Sequence, residues 1–187
     1  MGEHFAGLMG KLIEDVGSAA GRTLTSTHID SWEVHSQNWT PLFREEFQRR
    51  RGYDLLTMLP AMTGRIIDNL EVSERFLWDV RKTIGEMVLD NYAGYMRELA
   101  RRHGMKLSIE AYDDGPFDDL SYAGRADVPM GEFWMKSDYY FNTRMQTCRA
   151  MASAAHTYGK PICGAEAFTA FTEQARWINH PFSLKAL

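Results

Sequence analysis

Four glutamates occupy comparable places in this chain. Glu33 follows the run at 23–32, Glu110 the run at 106–109, and Glu166 the run at 161–165, while Glu132 comes near the end of 128–133. These runs are short and apolar or β-branched, and they read as strands. Glycoside hydrolysis needs two carboxyl groups flanking the scissile bond, one to protonate the leaving oxygen and one to activate water or attack the sugar. Glu33 and Glu166 are the outermost pair, and strands placed across a barrel mouth would let them face each other. One strand-end glutamate can equally be half of an ion pair. Four together repel one another unless a reaction or a bound cation uses their charge.

Calcium takes several carboxylate and carbonyl oxygens. Asp30, Glu110 and Glu132 are candidates, as are Asp113 and Asp114 in the loop after Glu110, although no EF-hand spacing is present. Asp118 and Asp119 read as turn formers. His28 lies two residues before Asp30, so both point to one side of their strand, and a satisfied polar interior position suits His28. His156 beside Ala154 and Ala155 reads as structural. The absence of HExxH and GxSxG argues against a zinc or a serine hydrolase. Cys148 on a helix and Cys163 on a buried strand read as two buried thiols, with no CxxC pair to hold zinc.

The elements that must position these acids follow a repeated pattern: a helix, a glycine, a short strand, a glutamate. Phe5, Leu8, Met9, Leu12, Ile13 and Val16 recur at helical spacing before Gly17 and Gly21. Ser73 is placed to cap a long helix whose stripe runs from Phe76 through Val80, Ile84, Met87 and Tyr92 to Leu99, ending at Gly104. A third helix over 139–158 ends at Gly159. The strand at 128–133 follows a loop. Two short helices are expected at 43–50 and 54–62, and Arg49-Arg50-Arg51 reads as a solvated helix face. Strands separated by helices need crossovers, so the sheet should be parallel. No glycine-rich turn follows the first strand, where a doubly wound nucleotide fold would carry one; Ser36-Gln37-Asn38-Trp39 stands there. The fold class expected is α/β, part of a (β/α)8 TIM-type barrel. It would comprise about four parallel strands with flanking helices, truncated at both ends. The domain reading is residues 1–187 as a single fragment of a (β/α)-barrel catalytic domain.

Composition narrows the partners. The net charge of −4 comes with Lys and Arg scattered among acids, not the basic face nucleic acid requires. No stretch approaches the apolar length of a membrane span. The start, Met1-Gly2-Glu3-His4, lacks the regions of a signal peptide. Aromatic residues reach 12%, and sugar sites use such rings as flat platforms, although most rings belong to cores.

The chain resembles glycoside hydrolase family 106, the α-L-rhamnosidases. The resemblance is carried by Asp30-Ser31-Trp32-Glu33-Val34 with Gln37-Asn38-Trp39-Thr40, and by 43–54 (Phe43-Arg44-Glu45-Glu46-Phe47 onward). It continues in Gly115-Pro116-Phe117-Asp118-Asp119, in 126–134, and in Ser153-Ala154-Ala155-His156 with Gly164-Ala165-Glu166-Ala167-Phe168-Thr169. It implies a (β/α) barrel that hydrolyses terminal α-L-rhamnosides with inversion and depends on calcium (Ca2+). It implies Glu33 as general acid, Glu166 as general base and Glu132 as a calcium ligand. Asp30, Trp39 and Glu110 would be substrate-binding residues. The partner would be a rhamnose-containing oligosaccharide or plant glycoside, handled by a bacterial protein outside the cytoplasm, with the remainder of its own barrel supplied by missing sequence. Two further readings stand beside it. One is a non-catalytic barrel fragment that at most binds carbohydrate. The other is a retaining glycosidase of the β-galactosidase type, which would place Asn directly before the acid glutamate where this chain has Trp32 and Ala165.

Overall fold

The computed structural model describes residues 1–112, 115–135, 140–171 and 181–182, with backbone alone over 140–145. Asp113 and Asp114 lie outside the described residues. The chain opens with α1 (Gly2–Phe5), a π-turn (Ala6–Gly10) and α2 (Lys11–Val16), which together make one helical stretch ending where Gly17 takes a positive φ. Strand β1 (Ser26–Ile29) follows, then α3 (Phe43–Arg51) and a 3-10 segment (Leu56–Thr63). Next, α4 (Leu70–Val88), a π-segment (Leu89–Gly94) and α5 (Tyr95–Arg102) run on into one another, and Gly104 at φ 70° turns the chain into β2 (Lys106–Glu110). The remaining elements are α6 (Asp119–Arg125), β3 (Val128–Trp134), α7 (Tyr140–Thr157) and β4 (Gly164–Thr169). Among the described residues no helix is long and apolar enough to cross a membrane.

The strands form one sheet in the order β1-β2-β3-β4, and every neighbouring pair is parallel. The expected parallel arrangement is present. Strand order follows chain order, as it does around a (β/α) barrel; a doubly wound sheet reverses direction part-way. Leu107 and Ile109 of β2 are fully buried and share a core with Met96 and Leu99 of α5, Tyr122 and Ala123 of α6, and Met151 and Ala154 of α7. The alternate residues of β2, Ser108 and Glu110, face the other way, toward the barrel interior. Gly131 lets α7 lie directly on β3, because a Cβ there would stand 2.7 Å from the Cys148 backbone nitrogen.

Several details depart from the sequence reading. The first strand is only Ser26–Ile29, not 23–32, because its ladder with β2 stops at Ile29↔Ile109. The cap of α4 is Asn69, whose side chain accepts from Val72 N at 3.0 Å. Ser73 is instead buried inside the helix, where its hydroxyl donates to Ile67 O. A short helix, α6, does precede β3, capped by Asp118 through Leu120 N and Ser121 N. Seven residues are too few to show a helical stripe. Both cysteines are free, and Cys163 is exposed, since β4 begins pairing only at Gly164.

Of the triple arginine, Arg49 is solvated, with 62% of its side chain exposed, but its two neighbours are not. Arg50 and Arg51 keep only 12% and 15% of their side chains exposed. Arg50 pairs with Glu86 and Asp90, while Arg51 pairs with Glu86 and donates to Thr83 Oγ1 at 2.9 Å. These contacts fasten α3 to α4 over a second core of Phe43, Phe47, Leu55, Ala61, Phe76 and Val80. Cutting such a pair leaves a half-buried or exposed carboxylate short of a partner, a cost that solvent screening reduces. The fastening anchors the far end of the irregular segment 30–42.

Candidate active site

The sheet register brings acids from neighbouring strands to one end of the sheet. Glu132 pairs with Glu166 across β3 and β4. Glu110, the last residue of β2, lies beside Met130, one side-chain step lower on β3. His28 pairs with Ser108, so Asp30 follows on the same face next to Glu110. Glu110, Glu132 and Glu166 each offer a carboxylate oxygen, and these atoms lie within 4.8 Å of one another. His28, Asp30 and Glu110 form a second such group on the same terms. Glu110 and Glu132 are buried, exposed by only 2% and 6%.

Tyr112 holds this centre together. Its hydroxyl lies 2.7 Å from Glu110 Oε2 and 2.5 Å from Glu132 Oε2. One phenolic hydrogen cannot donate to two carboxylates, so one of these contacts needs a second proton. Glu110 is the group placed to carry it. Burial, then the neighbouring Asp30 and Glu166 charges, push its carboxyl up to about 7, against the downward pull of the Tyr112 hydrogen bond. Asp30 is held below the usual carboxylate range, first by its hydrogen bond with Glu110 and then by Ser31 N. Asp30 thus ionises before Glu110, and a single proton on Glu110 serves either Asp30 or Tyr112, not both. Burial and the two glutamates raise the Tyr112 hydroxyl as well, so it remains a phenol.

The other supports are local. Trp134 Nε1 and Thr169 Oγ1 donate to Glu132 and Glu166 respectively. Thr147 of α7 accepts from Glu132 N at 2.8 Å. His28 Nδ1 lies 2.9 Å from Ser108 Oγ, and its Nε2 is 3.9 Å from Glu110; the ring is exposed, not sealed in the interior.

Glu33 stands apart from this group. It lies in segment 30–42 beyond the end of β1, exposed, and accepts from Ser31 Oγ at 3.0 Å. The early end of β1 leaves Glu33 on a loop. It does line a cleft of about 860 Å³ with Asp30, Trp32, Trp39, Leu42 and Tyr92. Trp39 is 49% exposed and packs on Phe43 at 5.3 Å, so one side of the ring is supported and the rest is open. Asp30 belongs both to this cleft and to the buried acids, which makes the two regions continuous.

Glu166 and Glu132 do not end their strands. Ala167 to Thr169 continue β4 beside Phe133 and Trp134 of β3. The sequence reading missed Tyr112, Trp134 and Thr169 as working residues. For the first two a signal existed, since each sits two positions after a site glutamate and so shares its face. Thr169, three positions on, carried none.

The sequence model of glycoside hydrolase family 106, alpha-L-rhamnosidase, matches residues 1–187. The chain belongs to this family. It is 31% identical to the solved rhamnosidase from Novosphingobium sp. PP1Y, with a TM-score of 0.87 over 98% of this chain and 18% of that one. It is 36% identical over 184 residues to a protein of Formosa agariphila provisionally named beta-glucuronidase, covering 98% of this chain and 15% of the relative. The chain therefore spans less than a fifth of the length of either. The four parallel strands and flanking helices form part of a (β/α) barrel, as expected.

The donor set suits a hard cation. The Glu110, Glu132 and Glu166 donors are all oxygen, and two of the three carboxylates are buried. In metal-free protein, Glu110 should leave a mark on stability. Its folded value near 7 lies above the ordinary 4.5, so folding takes up a proton between those values. The stabilisation is full below the lower value and is lost as pH rises through the upper one, by about 3 kcal/mol at most. Denaturant midpoints in chelator should be higher at about pH 5 than at about pH 8, and Glu110→Gln should flatten that difference. An unchanged pH slope in the variant would show that Glu110 is not the group responsible.

Proposed function

We propose that the protein containing this segment removes terminal α-L-rhamnosyl residues from oligosaccharides or plant glycosides, with inversion and with help from calcium. The convergence of Glu110, Glu132 and Glu166 at one end of the sheet, in a chain matched by the family throughout, is the observation that carries this reading.

Glu166 acts as general base, taking a proton from the water that attacks the anomeric carbon. Glu33 acts as general acid, giving a proton to the leaving oxygen from its place on the cleft. Asp30 and Glu110 meet the sugar hydroxyls, and Trp39 offers its open face to an apolar surface of the substrate. Glu132 and Glu110, with Glu166 within reach, would hold calcium. When bound, it would offset the acid crowd and coordinate sugar oxygens.

The name of the Formosa relative raises a different sugar, a glucuronide. A glucuronide carries its own carboxylate and requires a cationic partner. Asp30, Glu110, Glu132 and Glu166, which meet at this site, are all acids. A neutral deoxysugar suits these surroundings better. The parent protein should therefore release the chromophore from an aryl α-L-rhamnoside and leave the aryl β-D-glucuronide intact; the opposite preference would refute the assignment.

A further inference from the structure

We propose that Thr169 is the positioning residue of Glu166, delivered to it by a one-residue bulge at Phe168. The proposal rests on the reading of Glu166 as general base. Side chains alternate along a regular strand, so residues three apart point to opposite faces. By that rule Thr169 should face the helices while Glu166 faces the barrel interior. The pairing breaks the rule: Phe133 lies opposite Ala167, and the next residue, Trp134, lies opposite Thr169. Phe168 is the extra residue, as in a β-bulge. It takes φ 63°, a conformation that side chains other than glycine rarely adopt, so the surroundings must hold it there. Two contacts do so. The Phe168 ring meets Phe133 edge-on at 4.7 Å, and Met135 N donates to Thr169 O at 2.7 Å, resuming the ladder beyond the bulge.

The consequence is chemical. With one residue looped out, Thr169 occupies the place on the interior face that Phe168 would have taken. Its hydroxyl then donates to Glu166 Oε1. One oxygen of the carboxylate is tied down, its rotamer is fixed, and the other oxygen is left for water. A base must hold its lone pair toward the attacking water to within a fraction of an ångström, and a single directed donor on the far oxygen provides that.

The test uses the parent protein and two substitutions that separate the hydroxyl from the shape. Thr169→Val keeps the shape and loses the donor; Thr169→Ser keeps the donor and loses a methyl. Positioning predicts a fall in kcat of roughly 10- to 100-fold for Thr169→Val with KM little changed, and recovery of most of that loss in Thr169→Ser. A merely structural role predicts the reverse order, with Ser worse than Val, and would overturn the proposal. Crystal structures of both variants provide a readout independent of turnover: the Glu166 carboxylate should rotate away in Val and stay in Ser. If the wild-type protein fails to cleave rhamnosides, the functional reading falls, while the Glu166 rotamer still decides for or against positioning. An unmoved carboxylate in Thr169→Val sinks the proposal.

Discussion

Glu166→Gln in the parent protein should lower kcat by about 10²–10⁴-fold, the usual worth of a general base, and should do so equally for substrates with good and poor leaving groups. The reason is that every substrate needs the activated water. Glu33→Gln should behave differently. An aryl leaving group is stable as an anion and needs little protonation, so an aryl rhamnoside should lose far less than a disaccharide. The ratio of the two losses, measured as kcat/KM on an aryl and a sugar aglycone, distinguishes the acid from the base. Glu33 is exposed on segment 30–42, and an acid there must be enclosed when substrate fills the cleft. The first sugar released should be β-L-rhamnose by NMR, since an inverting pair lets water enter from the opposite face. α-L-rhamnose as the first product would make Glu166 a nucleophile instead.

Removal of calcium should have an effect of similar size. Exhaustive chelation should abolish nearly all turnover of the parent protein, and added calcium should restore it. The expectation follows from three carboxylate oxygens within 4.8 Å, two of them on side chains that are almost fully buried. Such a group needs protons or a cation to stand together. Glu132→Gln should weaken calcium binding measured by calorimetry by more than about tenfold, whereas Glu33→Gln should leave it nearly unchanged. Equal weakening by both, or full activity in chelator, would end the calcium reading.

Parts of this were legible in the chain. The alternation of helix, glycine and short apolar strand identified four parallel strands, because parallel pairing is the arrangement a helical crossover allows. The likeness of Glu110, Glu132 and Glu166 was legible from their place late in or just after such runs, and the register does bring the three together. The Arg50 and Arg51 network was not. A run of arginines after two glutamates has the same local pattern whether its partners are solvent or Glu86 and Asp90, which lie more than 30 residues away. Ser73 and Asn69 show the same ambiguity at closer range: both can cap, and the hydrogen bonds of Ile67 decided which one does.

What the chain determined by itself is therefore periodic and local: where helices stop, which runs are strands, and which acids follow them. Side-chain spacing along an element encodes these things directly. What only the tertiary structure decided is which groups meet. Tyr112 between Glu110 and Glu132, the proton that contact demands, and Glu33 standing off on its own cleft all depend on strand register and on where β1 stops. The meeting of Thr169 with Glu166 depends on one looped-out residue, which reverses the face that period-two counting assigns. Hydrogen bonds and charge interactions act over a few ångströms of space, and nothing in a local pattern states which distant residues will stand within that range.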